Sequence, residues 1–286
     1  MQVGVIFPQL EIEPRVDALR AYATGVEQLG FGHIAAYDHV LGADRAVHTG
    51  FAGPYDLTSR FHEPMVLFGY LAAVTSVELV TSVLILPQRQ TALVAKQAAQ
   101  VDLLTDGRFR LGVGVGWNAV EYEALGQDFA QRGRREEEQI ALLRRLWTEP
   151  SLTFEGRFDT VTGAGLAPLP VQRPIPVWLG GSSVPAHRRM GRLADGWFPQ
   201  VPPGERLDDA LEIIGEAAGQ AGRDPSAIGM EGRVSWRDGG AAQVVDHVHR
   251  WREAGATHVS INTMGAGFEG ATRHLQALDE VARALD

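Results

Sequence analysis

Short apolar runs of strand character alternate with longer stretches of helical period along this chain, and no other feature narrows its fold as much. The strand-like runs are Val3–Phe7, Phe31–Tyr37, Glu78–Leu86, Phe109–Val115, Pro174–Leu179, Gly196–Phe198, Ile228–Val234 and His258–Asn262. Helical patterns occupy Pro14–Leu29, Glu63–Thr75, Thr91–Leu104, Arg134–Trp147, Pro185–Leu193, Arg206–Ala221, Ala241–Ala254 and Ala271–Leu285. Such alternation predicts a parallel sheet. About eight units over 286 residues predict an α/β fold closed as a single (β/α)8 TIM barrel across 1–286. Two stretches, near 41–62 and 148–173, break the rhythm. They are expected as loop insertions at the C-terminal mouth, where barrel enzymes keep their sites.

Composition removes several function classes. A net charge of −9 argues against a nucleic-acid partner, which needs basic surface to displace counterions. No apolar run reaches ~18 residues, so no membrane partner is expected. The opening MQVGVIFPQLEIEP lacks a basic leader and reads as a first strand, which makes the cytoplasm the expected location. The chain has no cysteine, so disulfides and thiolate chemistry are excluded. Lys96 is its one lysine and lies within a helix, where packing or solvent exposure suits it better than Schiff-base chemistry. His39, His48 and His62 share a region without metal-ligand spacing, so no metal site is expected.

The segment RFRLGVGVGWNAVE, residues 108–121, satisfies the loose dinucleotide pattern G-x-G-x-x-G/A through Gly114, Gly116 and Ala119. A dinucleotide fold puts that turn after its first strand. Here at least three strand–helix units precede it, so the segment reads as barrel strand four and its loop. Gly114 and Gly116 either let a ligand approach the backbone or relieve crowding inside the barrel. Val115, Trp117 and Asn118 would then sit at the rim.

Other strand ends carry polar groups. Tyr37-Asp38-His39 closes strand two, and an Asp-His pair can hold a proton donor or simply cap a loop. Thr81-Ser82-Val83 lies inside strand three, where hydroxyls line a lumen or reflect β-propensity. Leu179-Gly180-Gly181-Ser182-Ser183 runs from strand five into a helix. Amides at such a turn bind anions, and Ser can equally cap the helix.

Taken in order, these pieces resemble the luciferase-like monooxygenase superfamily, specifically its deazaflavin (coenzyme F420) branch in actinobacteria. The matching residues are Tyr37-Asp38-His39-Val40, Phe61-His62-Glu63-Pro64, Val80 to Pro87, Ala95 to Ala99, Asp106 to Asn118, Val177 to Ser182, and Ala194-Asp195-Gly196-Trp197. The resemblance is dense from Val3 to about Trp197 and mostly architectural beyond. It implies a barrel with coenzyme F420, or alternatively FMN, at the C-terminal mouth, and relatives that often form homodimers. It implies that Asp38 contacts the ring system and that His39 handles the proton or faces the substrate. It implies a non-proline cis peptide at Ser82-Val83 behind the ring. Gly114 to Asn118 would line the ring or its side chain, and Leu179-Gly180-Gly181-Ser182 would take the tail phosphate.

Sugar-phosphate dehydrogenases of this superfamily carry a Glu after the strand-four glycines, and here Trp117 stands there. Glu63 or Glu121 is the expected substitute acid, although Glu63 also fits a first-turn helix acid. The expected activity is hydride transfer between the deazaflavin and a small organic substrate. The alternatives are an FMN monooxygenase using O2 and a non-catalytic cofactor-binding barrel. Phe51, Tyr55, Phe61, Phe154 and Phe158 in the two insertions imply a small, partly apolar substrate.

Overall fold

A computed structural model describes residues 1–236 and 239–285. Its first half runs β1 (Gln2–Ile6), α1 (Val16–Gln28), β2 (His33–Ala36), α2 (Pro64–Leu71), β3 (Glu78–Thr81), β4 (Leu84–Ile85), α3 (Thr91–Leu104), β5 (Phe109–Gly114), α4 (Ala119–Ala124) and α5 (Arg132–Thr148). A hairpin, β6 (Leu152–Glu155) and β7 (Thr160–Ala164), follows. The rest is β8 (Val177–Gly180), α6 (Val184–Leu193), β9 (Gly196–Phe198), α7 (Glu205–Gln220), β10 (Gly229–Ser235), α8 (Gly240–Glu253), β11 (His258–Asn262) and α9 (Gly270–Leu285). Among the described residues no helix is long and apolar enough to cross a membrane.

The strands pair in the order β3-β2-β1-β11-β10-β9-β8-β5-β4, and a further β3–β5 pairing closes the ring. Because β3 and β4 are two halves of one stave, the ring is an eight-stave parallel barrel. The break falls at Ser82-Val83, whose peptide is cis. Below it β3 pairs with β2 and β5, while above it β4 pairs with β5 through Leu84 and Ile85.

Side chains alternate across each strand, and the alternation makes two cores. Val5, Ile34, Leu79, Phe109 and Leu111 face the helices in the larger one. Ile6, Ala35, Val80, Trp178 and Phe198 form a smaller cluster in the lumen. Each fully buried Val or Leu contributes about 1.5–3 kcal/mol. Small residues on α3, namely Ala95, Ala98 and Ala99, are buried and let that helix close on the barrel.

The two insertions part company. Residues 41–62 connect β2 to α2 and stand at the C-terminal mouth. Residues 148–173 connect α5 to β8, an α-to-β connection that returns the chain to the opposite end of the barrel. They carry the β6–β7 hairpin, where the sequence pattern shows only an irregular insertion. Thr91, Lys96 and Asp102 fasten this segment down the outside of α3, to Asp159, the Ala167 carbonyl, and the Val171 and Gln172 amides respectively. The tip of the segment, Arg157 to Asp159, bonds Glu138 on α5 and Thr91 at the start of α3, while Phe154 and Phe158 do not line the cavity at the mouth.

Candidate active site

A cavity of about 540 Å³ opens where the strands end. One wall is the broken stave. Val83 projects beside two glycines: a Cβ on Gly114 would come within 2.7 Å of Val83 Cγ2, and one on Gly180 within 3.0 Å of its Cγ1. These glycines therefore leave the room that the Val83 side chain fills. Gly116 has φ +63°, in the region that favours glycine, and turns the chain toward Trp117.

Asp38, at the end of β2, bridges the break. Its Oδ2 accepts the Ile85 amide at 3.0 Å, and its Oδ1 accepts Arg89 Nη2 at 2.8 Å. Burial pushes its carboxyl up, against the pull of Arg89 and the Ile85 amide. Arg89 also donates from Nη1 to Glu63 Oε1 at 2.8 Å. Glu63 caps α2 by accepting the Val66 amide at 2.7 Å and does not line the cavity. The structure thus places it as an anchor for Arg89, not among the groups that face a ligand.

His39 stands on the cavity wall beside a buried carboxylate. Its Nδ1 lies 3.3 Å from Glu121 Oε1, and that carboxylate is 1 % exposed. The same oxygen accepts the Val40 and Leu41 amides at 2.7 and 3.1 Å. Burial raises the Glu121 carboxyl, but the bonds from His39 and Leu41 outweigh it and hold the group below its ordinary range. An ionised Glu121 can only accept, so His39 Nδ1 carries the hydrogen and Nε2 is left to exchange a proton. α4 makes this possible: Asn118 caps it by accepting the Val120 amide, which puts Glu121 in its first turn.

Aromatic rings enclose His39. Phe61, Tyr55 and Trp117 lie 4.8, 5.2 and 5.3 Å away between ring centroids, and Phe51 leans on Trp117 at 5.7 Å. Three of these four come from the 41–62 insertion. Arg45 holds its loop by bonding Asp56 and the Phe51 and Gly53 carbonyls.

Gly180, Gly181, Ser182 and Ser183 line the cavity at the start of α6. Ser183 caps the helix through the Ala186 amide. The positive end of the α6 dipole and its free amides suit an anion such as a phosphate.

The floor is an ion network that sequence patterns did not single out. Glu231 on β10 accepts Arg110 Nη1 at 2.8 Å and Ser260 Oγ at 2.6 Å, and faces His33 Nε2 at 3.1 Å. Arg110 also binds Glu78 and stacks over Trp178 at 4.4 Å. Burial would raise the Glu231 carboxyl, but His33 and Arg110 pull it far below the carboxylate range.

Of the residues expected from sequence, Asp38, His39, Ser82, Val83, Gly114, Val115, Gly116, Trp117, Gly180, Gly181 and Ser182 line one cavity. Glu63, Asn118 and Leu179 stand outside it. Gln200, Glu231, Arg233 and Ser260 line it without having been expected.

A family model described as luciferase-like monooxygenase matches residues 1–284. An uncharacterised Mycobacterium tuberculosis protein is 35% identical over 228 residues, 78% of this chain and 76% of its own. The FMNH(2)-dependent dimethylsulfone monooxygenase of Pseudomonas fluorescens is 32% identical over 185 residues, 63% of this chain but 50% of its own. Among solved structures, the monooxygenase RslO1 from Streptomyces bottropensis superposes with TM-score 0.80 at 19% identity, covering 100% of this chain and 98% of its own. An F420-dependent secondary alcohol dehydrogenase superposes at 0.77 and 18%, covering 100% and 99%.

Proposed function

The chain belongs to the luciferase-like monooxygenase family, and from that premise we propose that it is a cytoplasmic oxidoreductase transferring a hydride between coenzyme F420 and a small organic substrate. The observation that carries this reading is the His39–Glu121 pair opening on the cavity. Moving a hydride to or from a carbon that bears oxygen requires a proton at that oxygen. His39 Nε2, with the tautomer fixed by Glu121, is a group built to give or take it.

The site fits a flat ring with an anionic tail. Val83, seated between Gly114 and Gly180, would back the ring, and Val115 to Trp117 would border it. Gly180, Gly181 and Ser182 would hold a phosphate at the head of α6. When bound, the deazaflavin supplies the carbon that gives or receives the hydride. Asp38 supports the ring's wall through Ile85 and Arg89, and its two oxygens are already engaged by them. The aromatic residues around His39 exclude water from it and shape the space left for substrate.

An FMN monooxygenase is the second reading, favoured by the 32% identity to the dimethylsulfone enzyme. Fluorescence titration of the protein with F420 and, separately, with FMN tests the choice. Binding of F420 in preference is expected, and preference for FMN with O2 uptake would replace the first reading by the second. His39→Ala should keep cofactor binding and lower turnover about 10²–10⁴-fold. Unchanged turnover in that variant removes His39 from the reaction.

A further inference from the structure

Four charged or chargeable groups other than tyrosines line the cavity: Asp38, His39, Glu231 and Arg233. Three are answered within the protein, by Arg89, Glu121 and Arg110 respectively. Arg233 is different. Among the described residues no carboxylate lies within ion-pair distance of it, and its bond is to the Tyr37 hydroxyl, from Nη1 at 3.3 Å. It is two residues beyond Glu231 on β10, and period two puts both side chains on the lumen face. Among the described residues, the cavity thus presents a guanidinium with no carboxylate partner above a floor whose carboxylate is paired with Arg110.

Its place around the ring indicates what it meets. From β10 to β3 is four steps through β11, β1 and β2, and four through β9, β8 and β5. Arg233 therefore stands diametrically across the barrel from the Ser82-Val83 wall. The α6 amides that suit a cofactor phosphate follow β8, two staves away. A guanidinium is a planar fork that matches a carboxylate with two parallel hydrogen bonds. A second pocket of about 420 Å³ shares Arg233 with the cavity and adds Arg250 to its lining.

We propose that the substrate of this site bears a carboxylate, held by Arg233 with Tyr37 beside it, on the side opposite the wall that backs the cofactor. The inference rests on the reading that a cofactor occupies that wall. The charged end would fix the substrate's orientation, leaving the reacting carbon between the ring and His39.

The test uses matched probes, benzoate against benzamide and hexanoate against hexanamide, with inorganic phosphate as a plain anion. They are titrated into cofactor-loaded protein by absorbance and into the cofactor-free protein by tryptophan fluorescence, since Trp117 borders the cavity. The acids should bind wild type more tightly than the amides. Arg233→Gln should weaken the acids roughly ten- to a hundredfold, leave the amides alone and leave cofactor affinity unchanged. Arg233→Lys should recover part of the loss. The proposal is overturned if acids and amides bind equally, or if neither acid binds at millimolar concentration. It is also overturned if phosphate matches both acids, or if Arg233→Gln weakens the cofactor as much as the acids. Failure of F420 and FMN to bind, with the acid preference intact in the cofactor-free protein, would sink the cofactor reading and leave the carboxylate site standing.

Discussion

Arg110→Met should destabilise the protein strongly, and the reason lies in what it leaves behind. The side chains of Arg110 and Glu231 are 5 % and 1 % exposed and 2.8 Å apart. Methionine keeps much of the packing on Trp178 but removes the guanidinium that, together with His33, answers Glu231. Breaking a buried pair from one side costs about 3–5 kcal/mol, because the other charge is stranded in a low dielectric. Unfolding entropy near ~2.1 cal/mol/K per residue gives about 0.6 kcal/mol/K for 286 residues, so Tm should fall by about 5–8 °C. Adding Glu231→Gln removes the stranded charge and should restore stability to within about 1 kcal/mol of wild type. Differential scanning calorimetry of wild type, both single variants and the double completes the cycle. A loss below about 1 kcal/mol in Arg110→Met, or a double variant no better than the single, would refute this account of the floor.

Two further outcomes are expected. Gly114→Ala places a methyl 2.7 Å from Val83 Cγ2 and should cost about 1–3 kcal/mol by overpacking; it should also weaken cofactor binding, and Val83→Ala should relieve both effects in cofactor titrations. Burial pushes the His274 and His258 rings down to about 4, so the native state stays neutral while the unfolded chain takes up protons below about pH 6.5. Stability is therefore full above that pH and falls toward pH 4, by up to about 1.4 kcal/mol per unit for each ring. His274→Gln should flatten that slope in urea unfolding between pH 7 and 4.5, and parallel slopes would rule the ring out as a cause.

The eight staves are legible in sequence because a buried parallel strand is an uninterrupted apolar run. Thr91–Leu104 and His258–Asn262 keep their predicted bounds. Glu78–Leu86 reads as one strand because nothing in its apolar pattern marks where a backbone breaks, yet it divides at Ser82-Val83. α4 spans six residues, too few for a helical period to show. At the site, the groups carried on strand ends were legible, since a barrel fixes where strand ends converge. Their partners were not. Glu121 reaches His39 across 82 positions, Arg89 reaches Asp38 across 51, and Arg110 reaches Glu231 across 121. Spacing carries no signal at such separations; closure of the barrel supplies it.

The broken stave has a mechanical consequence. Above Ser82-Val83 the ladder between β2 and its neighbour is missing, and the Asp38 carboxylate takes up the Ile85 amide in its place. Arg89 grips that carboxylate with one nitrogen and, with another, the Glu63 carboxylate that starts α2. Glu63 is also where the 41–62 loop ends. The loop that walls one side of the cavity and the bulge that walls another are therefore riveted at a single guanidinium. A shift of one by a fraction of an ångström is handed to the other, so changes in the loop will be felt at a surface they do not touch.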